Sequence, residues 1–376
     1  MRLTARQLNR ATLARQMLLR REAVDVTEAV RRVVALQAQE AASPYLALWN
    51  RLSDFDPADL DAAFAGHAIV KATLMRITLH AVHAGDYPAF RGAMLEILRG
   101  SRLYDRRFTA TGLSVADADA LVPQVLEFMA ERRTTAEVQA LLTARLGVAE
   151  PWVWWALRTF APLVHAPTGG PWSFGPRPSY LAAPVPAPAE GLAECLRRLV
   201  RCYLAGFGPA TAVDITQFTM HRRSAARDAL RSLAGELEVL EGPDGKELFD
   251  LPGAPHPGED TPAPPRLMAM WDSILLAYAD RSRFTPPEYR PLIMRQNGDV
   301  LPTVLVDGYV AGVWRAVGAG IEITAFRPLP GAAWDELAAE ARALASFLAG
   351  RDPAVYRRYA HWWADLPGAE IRVLAS

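Results

Sequence analysis

Ile69-Val70-Lys71-Ala72-Thr73-Leu74-Met75-Arg76-Ile77-Thr78-Leu79-His80-Ala81-Val82-His83 decides the fold. Ile69 to Arg76 and Thr78 to His83 alternate well enough to be two strands. What lies upstream is helical. Thr4 to Leu19 reads as a helix with Thr4 as its N-cap and Leu8, Leu13, Met17 and Leu18 as its apolar face. Val26-Thr27 opens a second helix that runs through Ala38, and Ser43-Pro44 breaks it. Tyr45 to Leu52 is a short third helix, and Pro57 to Ala65 follows with proline in its first turn. Helices followed by paired strands are the order of a winged helix.

The order recurs downstream. Ser114 to Arg132, Thr134 to Leu146 and Pro151 to Phe160 read as helices, and Leu163 to Leu181 as two strands around Pro167-Thr168-Gly169-Gly170. A third round has helices over Glu190 to Ala205, Pro209 to Phe218 and Arg222 to Leu233, with Gly206 and Gly208 as the first helix's stop. Leu237 to Leu240 and Glu247 to Leu251 then flank the turn Gly242-Pro243-Asp244-Gly245. After the proline- and glycine-dense linker Pro252 to Pro265, the strands Thr303 to Asp307, Tyr309 to Val317 and Gly320 to Arg327 precede a helix from Ala332 to Leu348 and a short tail. The expected class is mostly α with β wings, that is α+β. Three tandem winged-helix motifs (1–112, 113–186, 187–252) are followed by a C-terminal α+β domain with a β-hairpin (253–376).

Composition sets outer bounds. With 376 residues, 51% hydrophobic and 22% charged, the chain is an ordinary folded one of several cores. No apolar run reaches the roughly 18 to 20 residues of a bilayer span, so no membrane partner is expected. The start Met1 to Arg10 is polar and basic, unlike a secretory signal, and a cytoplasmic location is expected. Cys195 and Cys202 stand about 10 Å apart along a helix, too far for a disulfide. The 41 basic and 41 acidic residues cancel, but nearly all the positive charge is arginine, with Lys71 and Lys246 the only lysines. The guanidinium fork suits phosphate.

Candidate chemistry is sparse by residue type alone. Leu36-Gln37-Ala38-Gln39-Glu40 is by itself a polar helix end. His80 and His83 lack a third ligand at metal-like spacing, so no metal and no cofactor are expected. No Gly-x-Ser-x-Gly element or phosphate loop is present. In the third round Arg222, Arg223, Arg227 and Arg231 line one side of the helix that a winged helix would place in the major groove, although a solvated basic face has the same pattern.

Several stretches together, in order along nearly the whole chain, resemble the winged-helix DNA glycosylases of the AlkZ-like family. They are Val34-Ala35-Leu36-Gln37-Ala38-Gln39-Glu40, Lys71 to His80, Tyr203 to Thr211, Trp271 to Tyr278, and Pro302 to Gly308 with Gly312-Val313-Trp314-Arg315. The first is similar to the family's Gln-x-Gln catalytic segment, and Arg76-Ile77-Thr78-Leu79-His80 to its Arg-x-Thr-Leu-His strand pair. Two positions depart: members usually carry glycine where Ile77 stands and phenylalanine where Trp271 stands. The resemblance implies catalytic Gln37 and Gln39, and a monofunctional enzyme acting on N7-alkylated guanines, including interstrand crosslinks, in double-stranded DNA. It further implies DNA contacts from Arg76, from the basic helix, and from a β-hairpin turning over Val317, Gly318, Ala319 and Gly320.

Glutamine has no useful pKa for acid–base work. N7-alkylguanine is already cationic, however, so its base leaves readily, and positioning a water becomes the remaining task. Residues i and i+2 share a side only in an extended segment, so this chemistry requires the second helix to end near Gln37. A tethered crosslink cannot be fully extruded, which predicts no deep base pocket beside Gln37. Lys71 is the sole amine near the segment, and its strand setting suits packing or phosphate contact. A monomer is expected. The alternative from another class is a non-enzymatic winged-helix regulator, and a third is a structural interaction module without salt-dependent DNA binding.

Overall fold

The computed structural model describes residues 2–185, 190–364 and 366–374, with only the backbone of residue 244. The expected boundary between the second and third units, at 186/187, lies outside the described residues. The chain is a mixed α+β protein. Its first part comprises α1 (Ala5–Arg15), α2 (Val26–Arg32), β1 (Leu36–Gln37), α3 (Ser43–Trp49), α4 (Pro57–Ala65), β2 (Ile69–Thr73), β3 (Leu79–His83), α5 (Tyr87–Leu103) and α6 (Arg106–Thr109). Local chemistry starts the helices. Thr4 and Gln7 form a reciprocal capping box on α1, Asp25 accepts from the Thr27 and Glu28 amides on α2, and Asp56 caps α4 ahead of Pro57. Helix α5, which the expectations from sequence do not include, buries Tyr87, Phe90, Met94 and Leu98 along one stripe at helical spacing.

Two departures from expectation set the geometry around Gln37. Helix α2 stops at Arg32 rather than Ala38. Val34 takes a left-handed φ of 72°, and β1 pairs antiparallel with β3, setting Leu36 opposite Ala81 and Gln37 opposite His80. Backbone pairing with a distant strand thus overrides the helical pattern of a β-branched stretch. The first wing strand is also shorter, because β2 ends at Thr73. Met75–Ile77 is a 3₁₀ turn in which Arg76 (φ 54°) and Ile77 (φ 58°) are both left-handed.

The next part holds α7 (Val115–Phe128), β4 (Arg133–Thr134), α8 (Thr135–Leu146), α9 (Pro151–Phe160), β5 (Leu163–Ala166) and β6 (Ser179–Ala182). Its strands join those of the first part in one six-stranded sheet of order β1-β3-β2-β5-β6-β4, with Lys71 opposite His165 at the seam. Then come α10 (Leu192–Phe207), α11 (Ala212–Thr219), α12 (Arg223–Ser232) and the hairpin β7 (Glu238–Glu241)–β8 (Glu247–Asp250). Gly206 lies inside α10 rather than stopping it; Gly208 is the C-cap.

The C-terminal part contains β9 (Arg266–Leu267), α13 (Arg290–Ile293), β10 (Thr303–Val306), β11 (Tyr309–Val317), β12 (Gly320–Ala325), α14 (Gly331–Ala349) and β13 (Glu370–Leu374). The tail does not trail away: β13 pairs along β12 as an edge of the antiparallel sheet β13-β12-β11-β10-β9. No helix among the described residues is long and apolar enough to cross a membrane.

Buried ion pairs tie these parts together. Arg51 grips Asp272 through both guanidinium nitrogens at 2.8 and 2.9 Å, and the same side chain reaches the Ala47 carbonyl. Arg15 grips Asp250 at 2.7 and 2.6 Å and donates to the Leu204 carbonyl. Both pairs are almost wholly removed from water; Asp250 also meets His256 Nε2 at 2.6 Å, whereas removing either Arg51 or Asp272 would leave an uncompensated buried charge. Asp272→Ala is expected to lower the unfolding free energy by about 3–5 kcal/mol in urea denaturation, and the double replacement Arg51→Met/Asp272→Leu to recover much of that loss. A loss below about 1 kcal/mol for Asp272→Ala would count against this role.

Candidate active site

Leu36 and Gln37 form an edge strand against β3, and the chain bends at Gln39. The Ala38 amide donates to the Leu79 carbonyl at 2.8 Å. One residue further on, the Leu79 amide donates to Gln39 Oε1, also at 2.8 Å. The Gln39 side chain therefore supplies the acceptor that a longer β1 would have supplied from its backbone. From the other side, the Ser273 hydroxyl donates to the Ala35 carbonyl at 2.8 Å.

Gln37 is buried, 4% exposed, while Gln39 lies at the surface. Arg76 Nη2 donates to Gln37 Oε1 at 2.5 Å and to His80 Nε2 at 3.2 Å. His80 Nδ1 lies 3.0 Å from the Thr78 carbonyl. Arginine only donates and a carbonyl only accepts, so these contacts fix the orientation of the Gln37 amide and the tautomer of His80: Nδ1 carries the proton and Nε2 accepts. Burial first, and the Arg76 charge second, hold the imidazole down to about 3, so it stays neutral. Burial first, and the Arg281 charge second, bring Arg76 down to about 9, leaving it cationic at neutral pH. Its guanidinium lies over the Phe218 ring of α11, 5.4 Å from the centroid. The Arg76 Nη1 atom is buried without a hydrogen-bond acceptor.

Lys71 faces away from this cluster. Gln37, His80 and Ala72 lie opposite one another across three strands, as do Leu36, Ala81 and Lys71. Opposed residues share a sheet face and neighbours alternate, so Lys71 projects from the reverse side. There its ammonium sits 4.4 Å from the centre of the Phe174 ring, and burial brings it down to about 8. It is not placed to attack a sugar held beside Gln37.

The other sequence-predicted residues stand apart. Arg222 caps α12, and Arg223 and Arg227 lie on its first turns, all three without a carboxylate partner among the described residues. Ala226, Ala229 and Leu230 face inward. Arg231, in contrast, is paired with Asp228. Val317 pairs with Gly320 at the end of β11–β12, so Gly318 and Ala319 form a two-residue turn, with Gly318 at φ 58° as a tight hairpin requires. Val317, Gly318 and Ala319 are exposed at the tip. No hydrogen bond among the described residues joins α12 or this tip to Gln37. A cleft of about 890 Å³, lined by Leu230, Leu237, Val239, Phe249, Tyr278 and Arg227, lies beside α12; Gln37 does not line it.

The positions that depart from the family pattern have local explanations. Ile77 occupies a left-handed conformation that glycine adopts freely and a β-branched residue adopts at a cost of roughly 1–2 kcal/mol. Trp271 donates its indole N–H to the Gly298 carbonyl at 2.9 Å, a bond phenylalanine could not make. Residue type alone also missed His80 and Ser273 as partners of the glutamine segment. The Arg-x-Thr-Leu-His stretch is the one signal that groups Arg76 with His80.

Comparison with known proteins points the same way. A family model described as DNA glycosylase AlkZ-like matches residues 30–347. An interstrand DNA cross-link repair glycosylase of Streptomyces sahachiroi is 25% identical over 353 residues, spanning 85% of this chain and 90% of that protein. The solved structure of the Streptomyces sahachiroi DNA glycosylase AlkZ superposes with a TM-score of 0.79 at 22% identity, covering 94% of this chain and 99% of the other.

The neutral His80 has a consequence for stability. Its folded pKa lies below the unfolded value near 6.5. Above that value the imidazole is neutral in both states and its contribution is fully present. Below it the unfolded chain takes up a proton that the fold refuses, until pH nears 3. Burial lowers His165 and His221 in the same direction. Stability should therefore fall between about pH 6 and 4.5 by about 1.4 kcal/mol per pH unit on account of His80. Urea unfolding of His80→Gln should show a pH slope smaller by about one proton; an unchanged slope would refute the assignment.

Proposed function

The chain belongs to the AlkZ-like DNA glycosylase family and is a DNA glycosylase, and we propose that its substrates are cationic N7-alkylguanine adducts in double-stranded DNA, with Gln37 and Gln39 as the catalytic residues. The observation that carries this reading is the end of α2 at Arg32, which puts Gln37 in the short strand β1 and Gln39 in the bend after it, both side chains engaged beside β3 instead of on diverging faces of a helix. The Gln37 carbonyl has one lone pair committed to Arg76 and the Gln39 carbonyl one to the Leu79 amide. Each keeps a second lone pair for a water hydrogen.

In the reaction the C1′–N9 bond breaks and its electron pair returns to the purine, discharging the cation. The water oxygen adds to C1′, and its surplus proton passes to solvent. No side chain needs to titrate, in keeping with a site whose histidine stays neutral. The hydrolysis is monofunctional, because the one lysine nearby lies on the reverse face of the sheet. The relative from Streptomyces sahachiroi is named for interstrand cross-link repair. On this reading a tethered guanine, which cannot be fully extruded, is met in an open groove. We assign the duplex contacts to Arg222, Arg223 and Arg227 on α12 and to the exposed hairpin tip Val317 to Ala319; Gly320, expected to join them, is buried at the start of β12. In this reading the three helix-and-hairpin units act as winged helices in a monomer.

Excision from a duplex with one N7-methylguanine tests the chemistry. Wild type should release the base, and Gln37→Ala/Gln39→Ala should be slower by about 100-fold or more while still binding DNA. Equal release by both proteins would move the chemistry elsewhere. For the duplex contacts, replacing Arg222, Arg223 and Arg227 by alanine should reduce the salt slope of log K by about 2 to 3, since each phosphate neutralised contributes about 0.9. An unchanged slope would remove α12 from the interface.

A further inference from the structure

Arg76 is an unusual side chain for a DNA contact. It sits on a left-handed turn with its guanidinium folded inward, has no carboxylate partner among the described residues, and spends Nη2 on two neutral acceptors, Gln37 Oε1 and His80 Nε2. The His80 ring is itself held by the Thr78 carbonyl across the same turn. Thr78, His80 and Arg76 therefore form a chain of donors and acceptors that ends on one atom, the carbonyl oxygen of Gln37. A glutamine amide rotates readily about its last bond. Left unclamped, it would present oxygen or nitrogen to a bound water with little preference.

We infer that Arg76 is the positioning residue of this glycosylase, a buried clamp that fixes which face of the Gln37 amide meets the attacking water, with His80 as the acceptor that orients the clamp. The inference rests on the proposed catalytic role of Gln37. It accounts for two features which a phosphate contact leaves unexplained. One is the neutral histidine beside a cation: only a neutral imidazole can accept from Arg76. The other is the strained turn: backbone left-handed at both Arg76 and Ile77 carries a guanidinium that reaches back to Gln37 of β1.

Single-turnover excision of N7-methylguanine at saturating enzyme separates the possibilities, using Arg76→Ala, Gln37→Ala and the double variant. Arg76→Ala should slow excision by about 10- to 100-fold, the scale of a misplaced catalytic group. Placed on top of Gln37→Ala, it should add less than about twofold, because two residues acting as one unit are not additive. The salt slope for undamaged duplex should stay at the wild-type value. Arg76→Lys keeps the charge but not the planar fork, and should recover part of the rate; it carries the same cycle if Arg76→Ala does not fold. An additive effect in the Gln37→Ala background would overturn the inference. So would a wild-type rate for Arg76→Ala with the salt slope reduced by about one, the mark of a phosphate contact. Wild-type excision by Gln37→Ala would overturn the catalytic role of Gln37 and this inference with it, whereas an impaired Gln37→Ala beside a fully active Arg76→Ala would overturn this inference alone.

Discussion

Helix α10 approaches the segment after α2 so closely that a Cβ on Gly206 would stand 2.5 Å from Val34 Cγ2 and 3.1 Å from the Arg32 carbonyl oxygen. No side chain fits there. The absence of one lets Val34 turn into its left-handed conformation under α10, where Gln16 also donates to the Gly206 carbonyl. Once Val34 is seated, the chain cannot continue as a helix, and Leu36 and Gln37 pair with β3. The extended edge, the pairing of Gln37 with His80 and the reach of Gln39 to the Leu79 amide all descend from this contact.

The surroundings hold the segment against displacement. Asp272 is pinned by Arg51, and Ser273 next to it donates to the Ala35 carbonyl. The Tyr278 hydroxyl, farther along the same loop, donates to the Phe207 carbonyl and meets the Thr12 hydroxyl at 2.7 Å. A loop from the C-terminal part thereby becomes the floor beneath a segment of the N-terminal part. Its anchors are charges and hydroxyls with partners in fixed directions, which set position more sharply than apolar contact does. The glutamines gain their fixed geometry in part from groups more than two hundred residues away in sequence.

How much of this the sequence discloses depends on the range of the interactions. Thr4, Asp56-Pro57, the strand pattern of residues 69–83 and the turn at 242–245 act within a few residues, and each is legible. The end of α2 is not, because its helical pattern runs on through Ala38 and the competing strand begins about forty residues later. The tail likewise gives no sign that it will pair with β12. Within the site, the Gln-x-Gln segment has no chemical signature of its own and stands out only through its likeness to a family. The bond from Arg76 to Gln37 spans 39 positions, so no local spacing rule could have joined them. Ile77 is the instructive middle case. Its departure from glycine is visible in the sequence, but its cost becomes apparent only with the φ value.

The seam at Lys71 and His165 gives the first two hairpins a single sheet rather than two separate wings. Backbone hydrogen bonds cross that seam, and burial of Lys71 against Phe174 would have to be undone for one hairpin to tilt against the other. The protein is thus a stiff template across this surface. On the duplex contacts proposed at α12 and the β11–β12 tip, the DNA rather than this buried sheet does the adapting, at a deformation cost on the order of 1–6 kcal/mol for a smooth bend of roughly 40–90°. Steps that deform at lower cost would be held longer than stiff ones, so stiffness alone would make the dwell time depend on the sequence around a lesion before any base is read.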